Sequence, residues 1–176
     1  MKTFLVSLRM LVATTLLLGV AYPLAVWGIG RAFFHREAEG SQIVRNGQIV
    51  GSHLLAQKTE NPRLFWPRPS ACDYATVPSG ASSQPWSSAA LLSRIDASPF
   101  CDERATQSGS GLDPDLTPDA ILAQMDRVAA ARSWDTVRCN RVAAWIASRT
   151  EGGIIGPRYV NVLELNLALD KLETLE

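Results

Sequence analysis

The sequence predicts an α/β protein, with a single N-terminal transmembrane helix followed by one small mixed α/β extracytoplasmic domain. Three observations lead to this fold class. The run from Met10 to Gly30 is apolar and carries no charged residue. Asn46-Gly47 stands between two short β-rich stretches, which is a strong hairpin signal. Thr117 and Asn161 each precede a stretch with apolar residues at helical spacing.

The uncharged run is long enough to span a bilayer. A hydrocarbon core of about 30 Å needs about 20 helical residues. A single segment in lipid must satisfy its own backbone hydrogen bonds, so the run is predicted to be a helix. Pro23 removes one of these bonds and predicts a kink, while the neighbouring Tyr22 suits the membrane interface. The predicted divisions are a short cytoplasmic N-terminus at 1–9, the transmembrane helix at 10–33 and the extracytoplasmic domain at 34–176.

A cleaved signal peptide is the alternative interpretation of this run. Gly19-Val20-Ala21 resembles a small-residue cleavage site behind a basic start and an apolar core. The apolar run continues well beyond this point, to Ile29, which favours an anchor that is not cleaved. Basic residues are nearly balanced on the two sides, so the positive-inside rule leaves the orientation open. The short first segment favours an N-terminus in the cytoplasm.

Small residues mark one face of the anchor. Ala21, Ala25 and Gly28 are spaced by four and three positions, which allows a second helix to approach closely. Ordinary alanines in an apolar helix give the same pattern, and the sequence does not separate the two interpretations.

Strands and loops of the domain follow from local signals. Residues 42–50 predict a β-hairpin around Asn46-Gly47. Residues 58–87 are rich in Pro, Ser and Asn, with aromatic residues between them. Because this composition is too aromatic for a disordered linker, we predict a long ordered loop that packs on the domain.

Three helices are predicted in the second half. One begins after Thr117, with Pro118 at its first position and apolar residues at helical spacing as far as residue 132. A second runs over about 133–148. The last begins at Asn161, where Glu164 three positions later resembles a capping box.

Composition excludes some functions and leaves others open. The chain has 176 residues, 17 basic and 17 acidic, so it lacks the basic excess typical of a nucleic-acid partner. Three cysteines, Cys72, Cys101 and Cys139, allow one disulfide and one free thiol without requiring either. Because His35 and His53 are the only histidines, the sequence gives little support for a metal site or a histidine general base.

Two short motifs have both a catalytic and a structural interpretation. Gly109-Ser110-Gly111 contains a serine between glycines, but its spacing is not that of a nucleophile elbow, which favours a turn. Asp113 and Asp115 have the chemistry of cation ligands, although acids before a helix more often favour its dipole. The sequence has no phosphate-binding GxxxxGK or GxGxxG motif and no pump signature. It therefore predicts no ATP hydrolysis by this chain.

Motifs in a characteristic order cover nearly the whole chain. They are Tyr22-Pro23, Gly51-Ser52 with Gln57, Arg68-Pro69-Ser70-Ala71 with Tyr74, Ser79-Gly80, Ser108-Gly109-Ser110-Gly111-Leu112-Asp113, Thr117-Pro118, Arg127-Val128-Ala129 with Ala131-Arg132, and NVLELNLALD from Asn161 through Asn166 to Asp170. In these motifs the chain resembles the C subunit of the Kdp potassium-transporting ATPase, the KdpC family. SGSGLD before a capped helix, together with NVLELNLALD, makes the resemblance specific.

The resemblance implies a non-catalytic accessory subunit of a high-affinity potassium uptake complex. Its partners would be a P-type ATPase subunit, a potassium-channel-like subunit and the lipid bilayer, with no nucleic acid. It implies a single-pass protein of the bacterial inner membrane, with a cytoplasmic N-terminus and a periplasmic domain. The family is described as a catalytic chaperone that raises the ATP affinity of the pump subunit, and as an ATP binder itself. ATP is thus the one cofactor implied, and the chain offers no nucleotide-binding residues that we can assign.

From the sequence we predict surfaces that contact partner subunits, and we assign no catalytic or metal-binding residues. The loops at 68–74 and 108–113 match the family closely while holding little that a core would need, so we expect them to meet partners. Two loops depart from the family pattern, at 79–86 and 151–160. The alternatives are a membrane-tethered periplasmic ligand-binding domain or enzyme acting alone, and a regulatory ATP-binding module.

Overall fold

A computed structural model describes residues 2–100 and 102–174. It confirms a long apolar N-terminal helix and a small mixed α/β region. The chain divides into two compact units, one ending at Gln42 and the other beginning at Ile43. Cys72 and Cys139 are free thiols, and Cys101 lies outside the described residues.

The first unit is built around one long helix. It comprises α1 (Lys2–Leu16), a π-helical turn (Leu17–Ala21) and α2 (Tyr22–Phe33), and the short α3 (His35–Ala38) follows. Within the described residues, Lys2–Phe33 is the one helix whose length and composition suit a membrane span. The helix already begins at Lys2, within the segment assigned to the cytoplasmic tail.

Pro23 shifts the hydrogen-bond pattern without ending this helix. The N–H of Tyr22 donates to the carbonyl of Leu17, five residues back, at the end of the π-helical turn. A proline has no N–H and its ring crowds the preceding turn, and a wider turn relieves both effects. The prediction that the helix continues through Pro23 is confirmed.

The domain opens with the predicted hairpin. Strands β1 (Gln42–Arg45) and β2 (Gln48–Ser52) form a two-stranded sheet. Asn46 and Gly47 both have positive φ, 52° and 77°, as a type I′ turn requires.

The remaining elements surround a small antiparallel sheet. They are α4 (Ala89–Asp96), a 3₁₀ turn (Glu103–Ala105), β3 (Asp115–Leu116), α5 (Pro118–Leu122), α6 (Met125–Arg132), α7 (Thr136–Ser148), β4 (Glu151–Gly152), β5 (Arg158–Asn161) and α8 (Val162–Thr174). The strand order is β3-β5-β4. Leu116 pairs with Val160 and Asp115 with Asn161.

The core joins this sheet to four helices and to the long loop. Its largest fully buried side chains are those of Phe65, Leu116, Ile121, Val128, Ile146 and Leu169. Phe65 has no exposed surface, so the prediction that the loop of residues 58–87 packs on the domain is confirmed. Val162, Leu165 and Leu169 form the buried stripe of α8.

Two predicted helices differ from the structure in their limits. The helix after Thr117 is divided into α5 and α6 by a turn at Ala123 and Gln124. At this turn the N–H of Gln124 donates to the carbonyl of Ile121, three residues back, and the buried Gln124 side chain binds the backbone of Trp66. The helix predicted from residue 133 begins at Thr136, because Asp135 caps it by accepting a hydrogen bond from the N–H of Arg138.

Candidate functional site

The loop of residues 68–74 is folded by its own side chains. The hydroxyl of Ser70 accepts hydrogen bonds from the N–H groups of Cys72 (3.2 Å) and Tyr74 (3.0 Å). The Tyr74 hydroxyl donates back to the carbonyl of Arg68 at 2.9 Å. Burial raises the pKa of Tyr74, so this phenol remains a donor at neutral pH.

The loop of residues 108–113 is also closed by serine side chains. The Ser108 hydroxyl accepts from the N–H groups of Gly111 (2.9 Å) and Asp113 (3.3 Å), and only 1% of Ser108 is exposed. Ser110 accepts from the N–H of Leu112 at 3.1 Å. A carboxylate oxygen of Asp113 then accepts from the N–H of Asp115, which leads the chain into β3.

These two loops lie against each other, and we call them the paired loops. The N–H of Ser108 donates to the carbonyl of Pro69 at 2.9 Å. The Arg68 guanidinium donates to the Thr106 hydroxyl (3.0 Å) and the Gln107 carbonyl (3.1 Å). It also lies 3.8 Å from a carboxylate oxygen of Asp113.

Gly111 sets the closest approach within the paired loops. Its φ is +75°, and a Cβ at this position would stand 2.5 Å from the Cys72 sulfur and 2.9 Å from the Gly80 carbonyl oxygen. Gly109, by contrast, has open space around it. One glycine of the SGSG motif is therefore required by packing, and the other is not.

The paired loops thus contain more structural residues than the sequence indicated. Ser108, Gly111 and Leu112 are buried, Arg68 lies against the second loop at Asp113, and the Ser70 carbonyl accepts a hydrogen bond from the Gln107 amide just before that loop. Asp73 is exposed and pairs with Lys58, and the rest of the exposed surface consists of three small residues, Ala71, Gly109 and Ser110. This small-residue surface could approach another protein closely.

The other predicted domain residues do not belong to the paired loops. The Gln57 amide donates to the Val50 carbonyl at 2.8 Å. Asn161 caps α8, because its side-chain oxygen accepts from the Glu164 N–H at 3.2 Å. This confirms the predicted cap. The Asn161 amide nitrogen donates to the carbonyl of His53 at 2.8 Å and to a carboxylate oxygen of Asp115 at 3.1 Å.

Asn166 holds the long loop to the core. Its oxygen accepts from the Phe65 N–H at 2.8 Å, and its amide nitrogen donates to the Phe65 carbonyl at 2.9 Å. Gln124 binds the next residue in the same way, accepting from the Trp66 N–H at 2.8 Å and donating to the Trp66 carbonyl at 3.1 Å. Each of these two buried carboxamides therefore pairs with both the N–H and the carbonyl of one residue, as the backbone of a neighbouring strand would.

Two arginines extend this arrangement along residues 62–66, which we call the clipped segment. Arg127 donates to the carbonyls of Pro62 (2.7 Å) and Leu64 (3.1 Å), and its guanidinium lies 3.9 Å from the centre of the Trp66 ring. Arg132 donates to the carbonyl of Arg63 at 2.6 Å and to Asp170 at 3.1 Å. The role of Asp170 is thus to orient a buried arginine.

Gln124, Arg127 and Arg132 were not predicted to be site residues, although Arg127 and Arg132 lie in one of the family motifs. A signal was present, because Gln124 and Asn166 are amides next to the apolar stripes of predicted helices. A polar side chain there must find a partner when it is buried. The partners of Gln124 and Asn166 could not be predicted, because the clipped segment that they bind does not have the alternating pattern of a strand.

The predicted anchor residues belong to the first unit. Ala21 ends the π-helical turn, and Tyr22, Pro23, Ala25 and Gly28 lie in α2. No residue of α2 is buried, and a Cβ at Gly28 would meet nothing within 4 Å. The spacing of Ala21, Ala25 and Gly28 is preserved, because the turn between them is α-helical.

Comparison with known proteins decides the family. A family model described as "KdpC: K+-transporting ATPase, c chain" matches residues 4–171. The chain belongs to the KdpC family. The resemblance inferred from its motifs is therefore confirmed, and the family is that of a subunit of the K+-transporting ATPase.

Relatives named "Potassium-transporting ATPase KdpC subunit" are similar over almost their full length. The protein of Staphylococcus aureus (strain MRSA252) is 39% identical over 188 positions, which cover 98% of this chain and 100% of the relative. The protein of Leptospira interrogans is 38% identical, covering 94% and 92% of the two chains. That of Methylobacterium nodulans is 42% identical, covering 92% of each.

Proposed function

We propose that this chain is the non-catalytic accessory subunit of a high-affinity, ATP-driven potassium uptake complex of the inner membrane. The observation that carries the proposal is the family match over residues 4–171, which takes in both the apolar helix and the domain. The helix Lys2–Phe33 would cross the bilayer, with the N-terminus in the cytoplasm and the domain in the periplasm. A P-type ATPase subunit and a potassium-channel-like subunit would be its partners.

The anchor would bind the membrane subunits through its small-residue face. Ala21, Ala25 and Gly28 leave room for a partner helix to approach, and Ala32 continues the same face four positions later. Close approach favours van der Waals packing, which is a main source of affinity between helices in lipid. This face is therefore where added bulk is expected to weaken assembly.

The paired loops would provide a second contact, on the domain. Their internal hydrogen bonds fix the positions of Ala71, Gly109 and Ser110, so a partner meets a preformed surface. Preformed surfaces lose little conformational entropy on binding. Small side chains also place the backbone at the surface, within reach of a partner's polar groups.

We infer that any effect on ATP affinity acts through assembly rather than through a nucleotide held by this domain. The N–H groups of Gly111, Leu112 and Asp113 donate to serine oxygens of their own loop. A phosphate-binding loop needs such N–H groups to be free to converge on the anion. The glycine-containing SGSGLD motif is therefore better suited to shape than to nucleotide binding.

Copurification from the native membrane in mild detergent tests the proposal. The tagged chain is expected to retain a P-type ATPase subunit and a channel-like subunit in comparable amounts. Ala25→Leu should lower the yield of the complex, while Val26→Leu, which adds bulk on a different face, should not. A chain that is recovered alone and monodisperse would refute the accessory role.

The domain contact needs a probe that does not disturb the fold. Gly109→Arg adds bulk where the structure has open space, whereas Arg68→Ala would remove bonds within the paired loops. Gly109→Arg is expected to reduce complex yield or potassium transport at unchanged unfolding midpoint. Full complex and full transport in this variant would show that the paired loops are not a contact.

A ligand-binding domain acting alone is the second candidate, because the domain contains a cavity of about 280 Å³. The cavity lies beside α8 and is mainly apolar, with Gln57, Lys58 and Asp170 among the residues that line it. Such a domain would be a stable monomer in detergent with a saturable ligand. The copurification experiment separates the two candidates.

A further inference from the structure

The hairpin β4–β5 ends in two apolar residues that contact almost nothing. Ile154 and Ile155, which we call the isoleucine tip, are each 97% exposed. Isolated exposed aliphatic residues are common, but two adjacent ones at a loop tip are an unusual exposure of apolar surface. Nothing in the accessory role described above uses them.

The strands on either side of the isoleucine tip are held to the domain by backbone pairing. Gly152 pairs with Arg158 and Glu151 with Tyr159 in the hairpin, and β5 pairs in turn with β3. Val160, in the same strand, is 3% exposed and belongs to the core. The strands therefore hold the isoleucine tip out from the domain.

The residues behind the tip are those that suit a lipid interface. Arg158 and Tyr159 follow directly after Pro157, and the Tyr159 hydroxyl donates to a carboxylate oxygen of Glu151 at 3.4 Å. Tyrosine is enriched at the level of lipid headgroups, and arginine is attracted to their phosphates. Apolar residues at the tip, with an aromatic and a cation one layer behind, match the polarity gradient from acyl chains to headgroups.

The covalent connection to the anchor keeps a bilayer within reach. Residues 34–41 join the end of α2 to β1. Even a fully extended segment of this length spans only about 28 Å. A domain of this size has a radius of gyration of about 14 Å, so a connection of this length permits a surface loop of the domain to reach the bilayer that holds the anchor.

We propose that the isoleucine tip inserts into the interface of the lipid bilayer, with Arg158 and Tyr159 at the headgroup level. The inference depends on the proposed membrane anchor, because the anchor supplies the bilayer. Insertion would give the domain a second point of attachment and so limit its rotation about the connecting segment. A pocket on a partner subunit is the competing destination, and the experiment below tells them apart.

The test uses the full chain in nanodiscs of phosphatidylethanolamine and phosphatidylglycerol. Dansylalanine replaces Ile155, or Val77 as a control that is 87% exposed in the same unit, or Leu24 as a control in the anchor helix. Quenching is measured with lipids that carry a nitroxide at a shallow position, which reports on Ile155 and Val77, or at a deep position, which reports on Leu24, and with aqueous iodide. We expect lipid quenching at Ile155 to exceed that at Val77 several-fold, and iodide quenching to be several-fold weaker.

A further variant tests whether the apolar character of the tip is the cause. Ile154→Asp, combined with the label at position 155, should reduce lipid quenching to the level at Val77. Equal quenching at Ile155 and Val77, with strong lipid quenching at Leu24, would overturn the insertion proposal alone. Weak lipid quenching at Leu24 would overturn the anchor and the insertion together.

The partner pocket gives a different result. In that case the Ile155 label would be open to iodide in nanodiscs that hold this chain alone, and would become protected from both quenchers in the assembled complex. This outcome would also overturn insertion into lipid, and it would assign the tip to a protein interface.

Discussion

Asn166→Ala tests whether a buried carboxamide that pairs with the backbone of Phe65 stabilises this domain. The variant leaves the N–H and the carbonyl of Phe65 without the bonds of 2.8 and 2.9 Å that the native amide provides. Phe65 has no exposed surface, so water does not readily replace the amide. Each unsatisfied buried backbone group costs about 1–3 kcal/mol, and alanine regains about 0.5 kcal/mol in helix propensity.

The expected loss in the free energy of unfolding is therefore about 2–5 kcal/mol. Urea unfolding of the full chain in detergent, followed by tryptophan fluorescence, measures it, because Trp66 lies next to the affected residue. Asn140→Ala is the matched control, since Asn140 is exposed on α7 and should change stability by less than about 0.5 kcal/mol. A loss below about 1 kcal/mol for Asn166→Ala, at an unchanged m-value, would refute the reasoning.

The adjacent amide provides a second check on the same idea. Gln124→Ala removes the bonds to Trp66, one residue further along. If the clipped segment detaches as a unit, the double variant should lose less stability than the sum of the single variants, by about 0.5–3 kcal/mol. Strict additivity would show that Phe65 and Trp66 are held independently.

Two further predictions concern the surroundings of the paired loops. Gly111→Ala should destabilise the domain by about 1–3 kcal/mol, because of its positive φ and the approach of Cys72 and Gly80, whereas Gly109→Ala should have little effect; equal unfolding midpoints would contradict this. Burial, and then the charge of Asp113, raise the pKa of Asp115 above its usual 3.8. The folded state therefore binds this proton more tightly, and the stability that it contributes is lost as the pH rises through the folded pKa. Asp115→Asn should remove this loss, so its stability relative to the native chain should rise as the pH increases above 3.8; parallel pH curves would contradict it.

Elements with a local cause could be predicted from the sequence. The long apolar helix, the turn at Asn46-Gly47 and the caps at Thr117 and Asn161 each depend on residues within a few positions of one another. The start of α7 was predicted three residues early, because Asp135 rather than Ser133 supplies its cap. Local chemistry therefore sets the type of each element and most of its limits.

The candidate site could be predicted only as a set of motifs. The residues of SGSGLD were identified, but the burial of Ser108 and the contact of Gly111 with Cys72 depend on a segment nearly forty residues away. The same limit explains why Gln124 was placed within a continuous helix. The chain turns at Ala123 and Gln124, where the Gln124 side chain binds Trp66, and no pattern within the helix itself records that bond.

The clipped segment also has a consequence for the order in which the chain can fold. Phe65 and Asn166 are 101 residues apart, so the segment leaves the ribosome long before the side chain that binds it is made. At typical synthesis rates of about 5–20 residues per second, that interval is about 5–20 seconds. During this time the apolar side chain of Phe65 has neither its core nor its amide partner. A chain that ends before α8 would remain in this state. The core around Phe65 can therefore form only after synthesis of the last helix is complete.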